Sequence, residues 1–121
     1  MKLDVNSEVP IFQQVAEIIS NEILNKHIHE GEQVPSTNEI ADFYQINPAT
    51  ARKGLNLLVE DEILIKKRGI GMFVKEGASQ KILMQRKNEF YQGFLKPLLE
   101  EASRLGISLE EVKQLIDKQG E

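Results

Sequence analysis

Arg52, Lys53 and the run Lys66-Lys67-Arg68 are the basic side chains whose placement most clearly suggests chemistry. Arg52 and Lys53 follow Thr50 near the start of a segment with helical spacing, and the basic run ends at Gly69. A guanidinium fork pairs with two acceptors of a guanine edge or a phosphate at once. A hydroxyl or N–H group at a helix N-terminus also suits a phosphate. These residue types therefore indicate binding of phosphates and base edges.

Two short helices are predicted to position these groups. Ser36 and Glu39 stand three residues apart, which is the spacing of a capping box and predicts a helix start. Asn47 is a favourable N-cap and Pro48 a favourable first helical residue, so a second helix is predicted after a short turn. Its apolar spacing carries it to about Glu60.

A basic hairpin follows the second helix. Strands are predicted at 63–67 and 72–75, and Gly69 and Gly71 bracket Ile70 where a tight turn needs positive φ. Two short helices and a cationic hairpin make a winged helix-turn-helix. In that unit the second helix enters the major groove of DNA, and the hairpin, or wing, contacts the adjacent backbone or minor groove.

Amphipathic helices are predicted on both sides of this unit. A proline at position 10 favours a helix start, and apolar residues at helical spacing continue that helix to about residue 24. A longer apolar stripe covers residues 79–105. Pro97 lies four residues after Gly93 within that stripe, and its ring would clash with the carbonyl of Gly93, so a kink is expected there.

A last short helix is predicted near the C-terminal end. Gly106 ends the long stripe, and Ser108 and Glu111 have capping-box spacing. A long and a short helix cannot enclose a core alone, so their apolar faces are expected to meet a second copy of the chain. The residues expected at this dimer interface are Leu83, Phe90, Tyr91, Phe94, Leu98, Leu109, Val112, Leu115 and Ile116.

Length and charge set the bounds of this interpretation. The sequence has 121 residues and a formal net charge of −4. That length fits one domain, or a small domain with an appendage. The predicted elements give a mostly helical, α+β chain with a winged helix-turn-helix over 1–77 and a helical dimerisation segment over 78–121. Residues 45–77 carry six basic and four acidic side chains, a net charge of +2. DNA binding responds to the charge of the docking face rather than to the total.

Other functional classes find little support in the sequence. There is no cysteine, which excludes disulfides and thiolate metal sites and is compatible with a cytoplasmic location. His27 and His29 have no evident third ligand, so no metal site is predicted. Gly69 and Gly71 lack the following helix of a nucleotide-binding loop. No long apolar run, secretory signal or catalytic set is present, so we expect no membrane partner, no cofactor and no enzyme activity.

Several motifs in order carry a family resemblance. They are PIFQQVA at 10–16, Pro35-Ser36, the helix at 50–55 and RGIGMFV at 68–74. Together they resemble the N-terminal domain of the GntR family of bacterial transcription regulators. The tail from 93 to 111 is similar to the YtrA subfamily, in which two helices form a short dimerisation segment. The resemblance implies a homodimer on a short inverted-repeat operator, usually a repressor and often beside transporter genes, with no effector ligand specified.

The residue chemistry and the resemblance together give a set of expected DNA contacts. Asn38 stands where many family members have arginine, and Asn47-Pro48 stand where many have Ser-Arg. Pro48 has neither an N–H group nor a polar tip, so it cannot read a base edge. The expected contacts are Ser36, Thr37, Asn38, Asn47, Ala49, Thr50, Arg52, Lys53, Lys67, Arg68, Gly69 and Ile70.

Simpler interpretations stand beside these expectations. Arg52 can be a solvated charge, Ser36 and Thr50 can be helix caps only, and the basic run can protect an edge strand from pairing. At the level of function, one alternative is a winged-helix protein-interaction module without DNA binding. Another is a small-molecule sensor whose ligand binds at the dimer interface.

Overall fold

The computed structural model describes residues 2–120 as helices with one two-stranded antiparallel sheet. This confirms the expected mostly helical class. The chain divides into two compact units, the first ending at Leu83 and the second beginning at Met84. The elements are α1 (Ile11–Leu24), α2 (Thr37–Tyr44), α3 (Pro48–Glu60), β1 (Leu64–Lys67), β2 (Gly71–Val74), α4 (Ala78–Phe90), a π-helical turn (Tyr91–Leu95), α5 (Lys96–Arg104) and α6 (Leu109–Gln119).

The core of the first unit is built from the inward faces of its helices and hairpin. Apolar residues at helical spacing bury one stripe of α1 and one of α3. Ala78 and Ile82 also belong to this core, which therefore continues past residue 77 into α4. The core residues include Val15, Ile19, Ile23, Val34, Ile40, Ala51, Leu55, Leu58, Ile63, Leu64, Val74, Ala78 and Ile82.

α1 and α3 approach each other closely at Gly54. A Cβ atom on Gly54 would lie 2.7 Å from the carbonyl oxygen of Phe12 and 2.9 Å from the Cβ of Val15. Glycine has a lower helix propensity than alanine in the interior of a helix. At this position it lets the two backbones meet, and the contact fixes how α3 lies against the core.

Local hydrogen bonds begin α2 and α3 where the sequence predicts. The Ser36 hydroxyl accepts from the Glu39 N–H at 3.1 Å, and the Glu39 carboxylate accepts from the Ser36 N–H at 3.0 Å. The Asn47 side chain accepts from the Ala49 N–H at 2.8 Å. Gln45 ends α2 in the left-handed conformation, with φ of 55°. Both caps depend on near neighbours only, which is why the sequence alone predicts them.

Some element boundaries differ by one residue from the prediction. Pro10 is the N-cap of α1 and not its first helical residue, because its ψ of 147° is extended. The hairpin register pairs Leu64 with Val74 at one end and Lys67 with Gly71 at the other. The first strand therefore starts one residue later than predicted, and the second strand starts and ends one residue earlier.

The expected kink at Gly93 and Pro97 takes the form of a π-helical turn. The N–H of Lys96 donates a hydrogen bond to the carbonyl of Tyr91, five residues earlier. The turn that this bond closes is one residue longer than a turn of α-helix. Proline lacks an N–H group and its ring crowds the carbonyl four residues back. The interruption lies where the sequence predicts, and the wider turn is the form that accommodates Pro97.

In the second unit α5 packs against α6. Gly106 ends the preceding helix with φ of 75°, and the Ser108 hydroxyl accepts from the Glu111 N–H at 3.1 Å. Among the described residues the reciprocal bond of a full capping box is not formed, so this part of the prediction is wrong. Ala102 and Val112 are buried. Val112, expected at a dimer interface, is thus buried within one chain.

The Gly54 contact predicts the effect of a single methyl group. Gly54→Ala should lower the free energy of unfolding by about 1–2 kcal/mol, because overpacking at α1 outweighs the gain in helix propensity. Asn56→Ala is the matched control, since Asn56 is exposed on the same helix and gains propensity without a clash. Denaturant unfolding of both variants checks this, and a Gly54→Ala protein as stable as Asn56→Ala would contradict the tight contact.

Candidate nucleic-acid interface

One cleft of the first unit brings together the start of α2, the exposed side of α3 and the wing. It has a volume of about 370 Å³. Arg52 is the α3 residue on its polar wall, and the wing contributes its basic strand and turn. Its lining includes Ser36, Thr37, Asn38, Arg52, Lys66, Lys67, Gly69 and Ile70. Residues that are up to 34 positions apart in sequence therefore form one surface.

The remaining predicted contacts, which do not line this cleft, are Asn47, Ala49, Thr50, Lys53 and Arg68. Ala49 and Lys53 line a second depression of about 320 Å³, and Arg52 borders both. Asn47 is exposed at the N-cap of α3, and Thr50 is half-buried one turn later. Arg52 is therefore the link between the two parts of the candidate surface.

The basic side chains of this surface are available to an external anion. In the part of the chain that the structure describes, none of the cations named below forms an ion pair with a carboxylate. By contrast, Lys75 and Lys81 outside the cleft both pair with Glu62, at 3.2 and 3.3 Å. The unpaired cations are Arg52, Lys53, Lys66, Lys67 and Arg68.

Two of these lysines stack on phenylalanine rings. The Lys53 Nζ lies 4.1 Å from the ring centre of Phe12, and the Lys67 Nζ lies 4.4 Å from that of Phe73. A cation over an aromatic face is attracted by the ring quadrupole and keeps donors for another partner. The rings therefore hold both ammonium groups in place at the surface without neutralising them.

The start of α2 combines a cap with donors for an anion. Hydrogen bonding from the Ser36 backbone N–H, followed by that of its side chain, holds the pKa of Glu39 below its ordinary value. The N–H groups of Thr37 and Asn38 belong to the first helical turn, which has no intrahelical acceptors. These two N–H groups suit a phosphate oxygen.

The segment before α2 is hydrogen-bonded to the wing through its backbone. The sequence analysis did not predict this connection. The N–H of Gly31 bonds to the carbonyl of Val74 at 2.8 Å, and the N–H of Val74 returns to the carbonyl of Glu32 at 2.9 Å. The N–H of Val34 bonds to the carbonyl of Met72 at 2.9 Å. Residues 31–34 thus extend the hairpin on the β2 side and join it to α2.

Gln33 reaches from that segment to the tip of the wing. Its Nε2 donates to the carbonyl of Ile70 at 3.0 Å, and its backbone forms an isolated bridge with Phe73. The two ends of the side-chain bond are 37 residues apart, so no local pattern predicts it. The available signal is the extended stretch ending at Pro35, in which Val34 is buried and Gln33 faces away from the core.

The second unit presents an apolar surface of its own. Phe90 and Phe94 are 61% and 69% exposed, and their ring centres lie 5.8 Å apart. A groove of about 460 Å³ is lined by Leu98, Ala102, Leu105, Ile107, Val112, Leu115 and Ile116, with Glu101 and Gln119. The expected interface residues that are exposed in the single chain are Leu83, which belongs to the first unit, and Phe90, Tyr91, Phe94, Leu98, Leu109, Leu115 and Ile116.

Residues 2–120 offer neither a metal site nor a membrane span. No group of three or more His, Asp or Glu side chains there could hold a metal ion. His27 instead contacts Glu22, with its Nδ1 2.8 Å from the carboxylate. Within the same residues, no helix has the length and apolar character needed to cross a membrane.

Sequence comparison adds a family match. Residues 11–74 match the family described as bacterial regulatory proteins, gntR family. The chain is also 28% identical over 116 residues to the HTH-type transcriptional repressor YtrA of Bacillus subtilis (strain 168), covering 96% of this chain and 88% of that protein. The match to YtrA therefore extends through the second unit.

Solved structures show the same fold. A GntR-family transcriptional regulator from Bacteroides thetaiotaomicron superposes with a TM-score of 0.77 at 30% identity, covering 89% of this chain and 94% of that one. BusR of S. agalactiae, in complex with its busAB-promoter DNA, superposes with a TM-score of 0.57 at 26% identity. That alignment covers 93% of this chain and 55% of BusR.

The capping box at α2 predicts a pH dependence. Because the pKa of Glu39 is lowered in the folded state, its stabilising contribution is complete above the ordinary value of 4.5 and is lost as pH falls through the lowered pKa. Glu39→Ala should therefore be less stable than wild type at pH 7, with the difference shrinking below about pH 4.5. Denaturant midpoints between pH 7 and 3 measure it.

Glu39→Gln is the control for this pH dependence, because its amide oxygen remains a neutral acceptor for the Ser36 N–H. The stability difference between Glu39→Gln and Glu39→Ala should not change with pH. A wild-type advantage over Glu39→Ala that stays constant down to pH 3 would contradict the assigned bond.

Proposed function

The chain belongs to the GntR family of bacterial transcription regulators, and we propose that it represses transcription as a homodimer bound to an inverted-repeat operator. The observation that carries the proposal is the cleft where unpaired cations of α3 and the wing meet the start of α2. Unpaired cations beside the free N–H groups of a helix start can bind the phosphates of a DNA backbone.

In the proposed complex α3 enters the major groove. Arg52 pairs with a guanine edge, while Thr50 and Lys53 contact the strand beside it. The wing, with Lys67 and Arg68, follows the flanking backbone or minor groove. The start of α2 binds a phosphate through Ser36, Thr37 and Asn38. Asn47, Ala49, Gly69 and Ile70 complete the surface that faces DNA.

The homodimer is proposed from the exposed apolar surface of the second unit. Contiguous apolar patches of this kind mark interfaces between proteins. A second copy would cover Phe90, Phe94 and the groove, and two-fold symmetry would present two reading heads to two half-sites. Occupancy of the operator then excludes RNA polymerase. The likeness to YtrA-type regulators extends the proposal to an operon encoding a transporter, in the cytoplasm of a bacterium.

Two other functions make different predictions. A winged-helix module that binds only proteins is favoured by the net charge of −4 and by Asn38 and Pro48 in place of more common reading residues. Such a module would not shift duplex DNA in a salt-dependent way. A small-molecule sensor is favoured by the apolar groove between α5 and α6. A saturable ligand at that groove that releases DNA would add this function to the proposal.

The DNA-reading role of Arg52 is tested by truncation. Arg52→Ala should weaken binding to an operator duplex, selected from a random pool, by about 1–3 kcal/mol and relax preference at one position of each half-site. Arg104→Ala is the matched control, since it removes the same charge from an exposed site in the second unit. Equal binding by Arg52→Ala and wild type would show that α3 does not read the operator as proposed.

The proposed dimer is tested with a charge at its centre. Phe94→Asp should give monomers in analytical ultracentrifugation and cut operator affinity steeply, because one reading head makes half of the contacts. The winged unit should stay folded, because its core residues all lie at or before Ile82. Phe43→Asp is the control, since Phe43 is 79% exposed in the first unit and lies outside the expected interface. A dimeric Phe94→Asp protein, or a wild-type monomer at micromolar concentration, would refute this assembly.

A further inference from the structure

We propose that Gln33 positions the wing on DNA by holding its tip at a fixed distance from the start of α2. The inference rests on the proposed function and adds to it a residue that itself need not touch DNA. Gln33 lies three residues before Ser36, and its Nε2 donates to the carbonyl of Ile70 at 3.0 Å. One short segment therefore touches two of the elements that line the cleft.

The tip of the wing lies beyond the reach of the hairpin ladder. The last paired residues are Lys67 and Gly71. Within the turn, the Ile70 N–H bonds back to the Lys67 carbonyl at 3.0 Å, a contact that shapes the turn but does not tie it to the rest of the molecule. The bond from Gln33 supplies that tie.

Gly71 is complementary to Gln33. It has φ of 143°, where an L side chain is strained, and a Cβ atom on it would collide with the Gln33 Nε2. The absence of a side chain at Gly71 thus opens the path along which the Gln33 amide reaches Ile70. Both residues are required for the same contact, although they lie on different segments.

The position of this bond points to orientation rather than to stability. Gln33 is exposed, and Ile70 is 64% exposed. A solvent-exposed hydrogen bond contributes little net free energy to folding, because water replaces it when it breaks. The backbone bonds of residues 31–34 with β2 and the buried core remain without it. Its effect is instead to restrict where Lys67 and Arg68 present their charges relative to Ser36.

A restricted wing has a direct consequence for DNA binding. Phosphates on a duplex lie at fixed spacing, so a wing and a helix start that are held together can meet two of them at once. A free tip must be ordered on binding, and immobilising one rotamer-rich side chain or loop position weakens association by a factor of about three to ten. Loss of the Gln33 bond should therefore reduce operator affinity, while the stability of the fold falls by no more than one exposed hydrogen bond contributes.

The test replaces Gln33 with methionine, which has similar length and no donor. Gln33→Met should bind the selected operator about three- to tenfold more weakly, lose protection at the flanks of each half-site, and unfold within a few degrees of the wild-type temperature. In the free protein, ¹⁵N relaxation should show larger motion for amides 69–71. Gln13→Met is the control, because Gln13 is an exposed glutamine on α1 and does not line the cleft.

A double-mutant cycle separates positioning from a general structural role. Neutralising Lys67 and Arg68 together should weaken binding and flatten the dependence of log affinity on log salt by up to about 0.9 per lost phosphate contact. In that background Gln33→Met should have a much smaller effect, since the two cations nearest the tip are no longer there to be positioned.

Each contrary outcome has a distinct meaning. Wild-type affinity in Gln33→Met, or an equal loss in both backgrounds, would overturn the positioning role while leaving the proposed function intact. A wild-type protein that binds no duplex in a salt-dependent manner would overturn the proposed function and this inference together.

Discussion

α1 and α3 meet at Gly54 with no room for a side chain, and this contact determines where α3 lies on the first unit. Arg52 is two residues away on the same helix, with buried Ala51 and Leu55 on either side of it. Because those neighbours are fixed in the core, Arg52 must point outward, into the cleft with the wing and the start of α2. Adding or removing one methylene group where α1 packs against α3 would therefore move the Arg52 guanidinium as well as the core.

Charge pairing explains how an acidic chain can present a surface of unpaired cations. Lys75 and Lys81 both pair with Glu62, and hydrogen bonding from Lys75, then from Lys81, holds the pKa of Glu62 below its ordinary value. Arg52 and Arg68 have no such carboxylate partner among the described residues. The field at the cleft thus depends on which cations are paired locally, and the net charge of −4 describes the chain as a whole.

Features that depend on near neighbours were predictable from the sequence. Both helix starts, the positive-φ glycines of the wing and the interruption near Pro97 follow from residue type and short spacing. Features that depend on distant neighbours were not. Gly54 has a low helix propensity, and only the close approach of α1 explains why it stands in α3. The partner of Gln33 lies 37 residues away, so the sequence near Gln33 does not indicate the bond. Val112 has the spacing of an interface residue, yet it packs inside one chain because α6 lies on Ala102.

The most direct measurement is selection of bound duplexes from a random pool by the full chain, followed by titration of the enriched duplex at several salt concentrations. Two reading heads related by two-fold symmetry predict an inverted repeat whose half-site centres lie about one helical turn, or a multiple of it, apart. The affinity for that repeat should fall linearly with salt on logarithmic axes. A pool that enriches no common sequence, or an affinity that does not respond to salt, would contradict a DNA-reading function for this cleft.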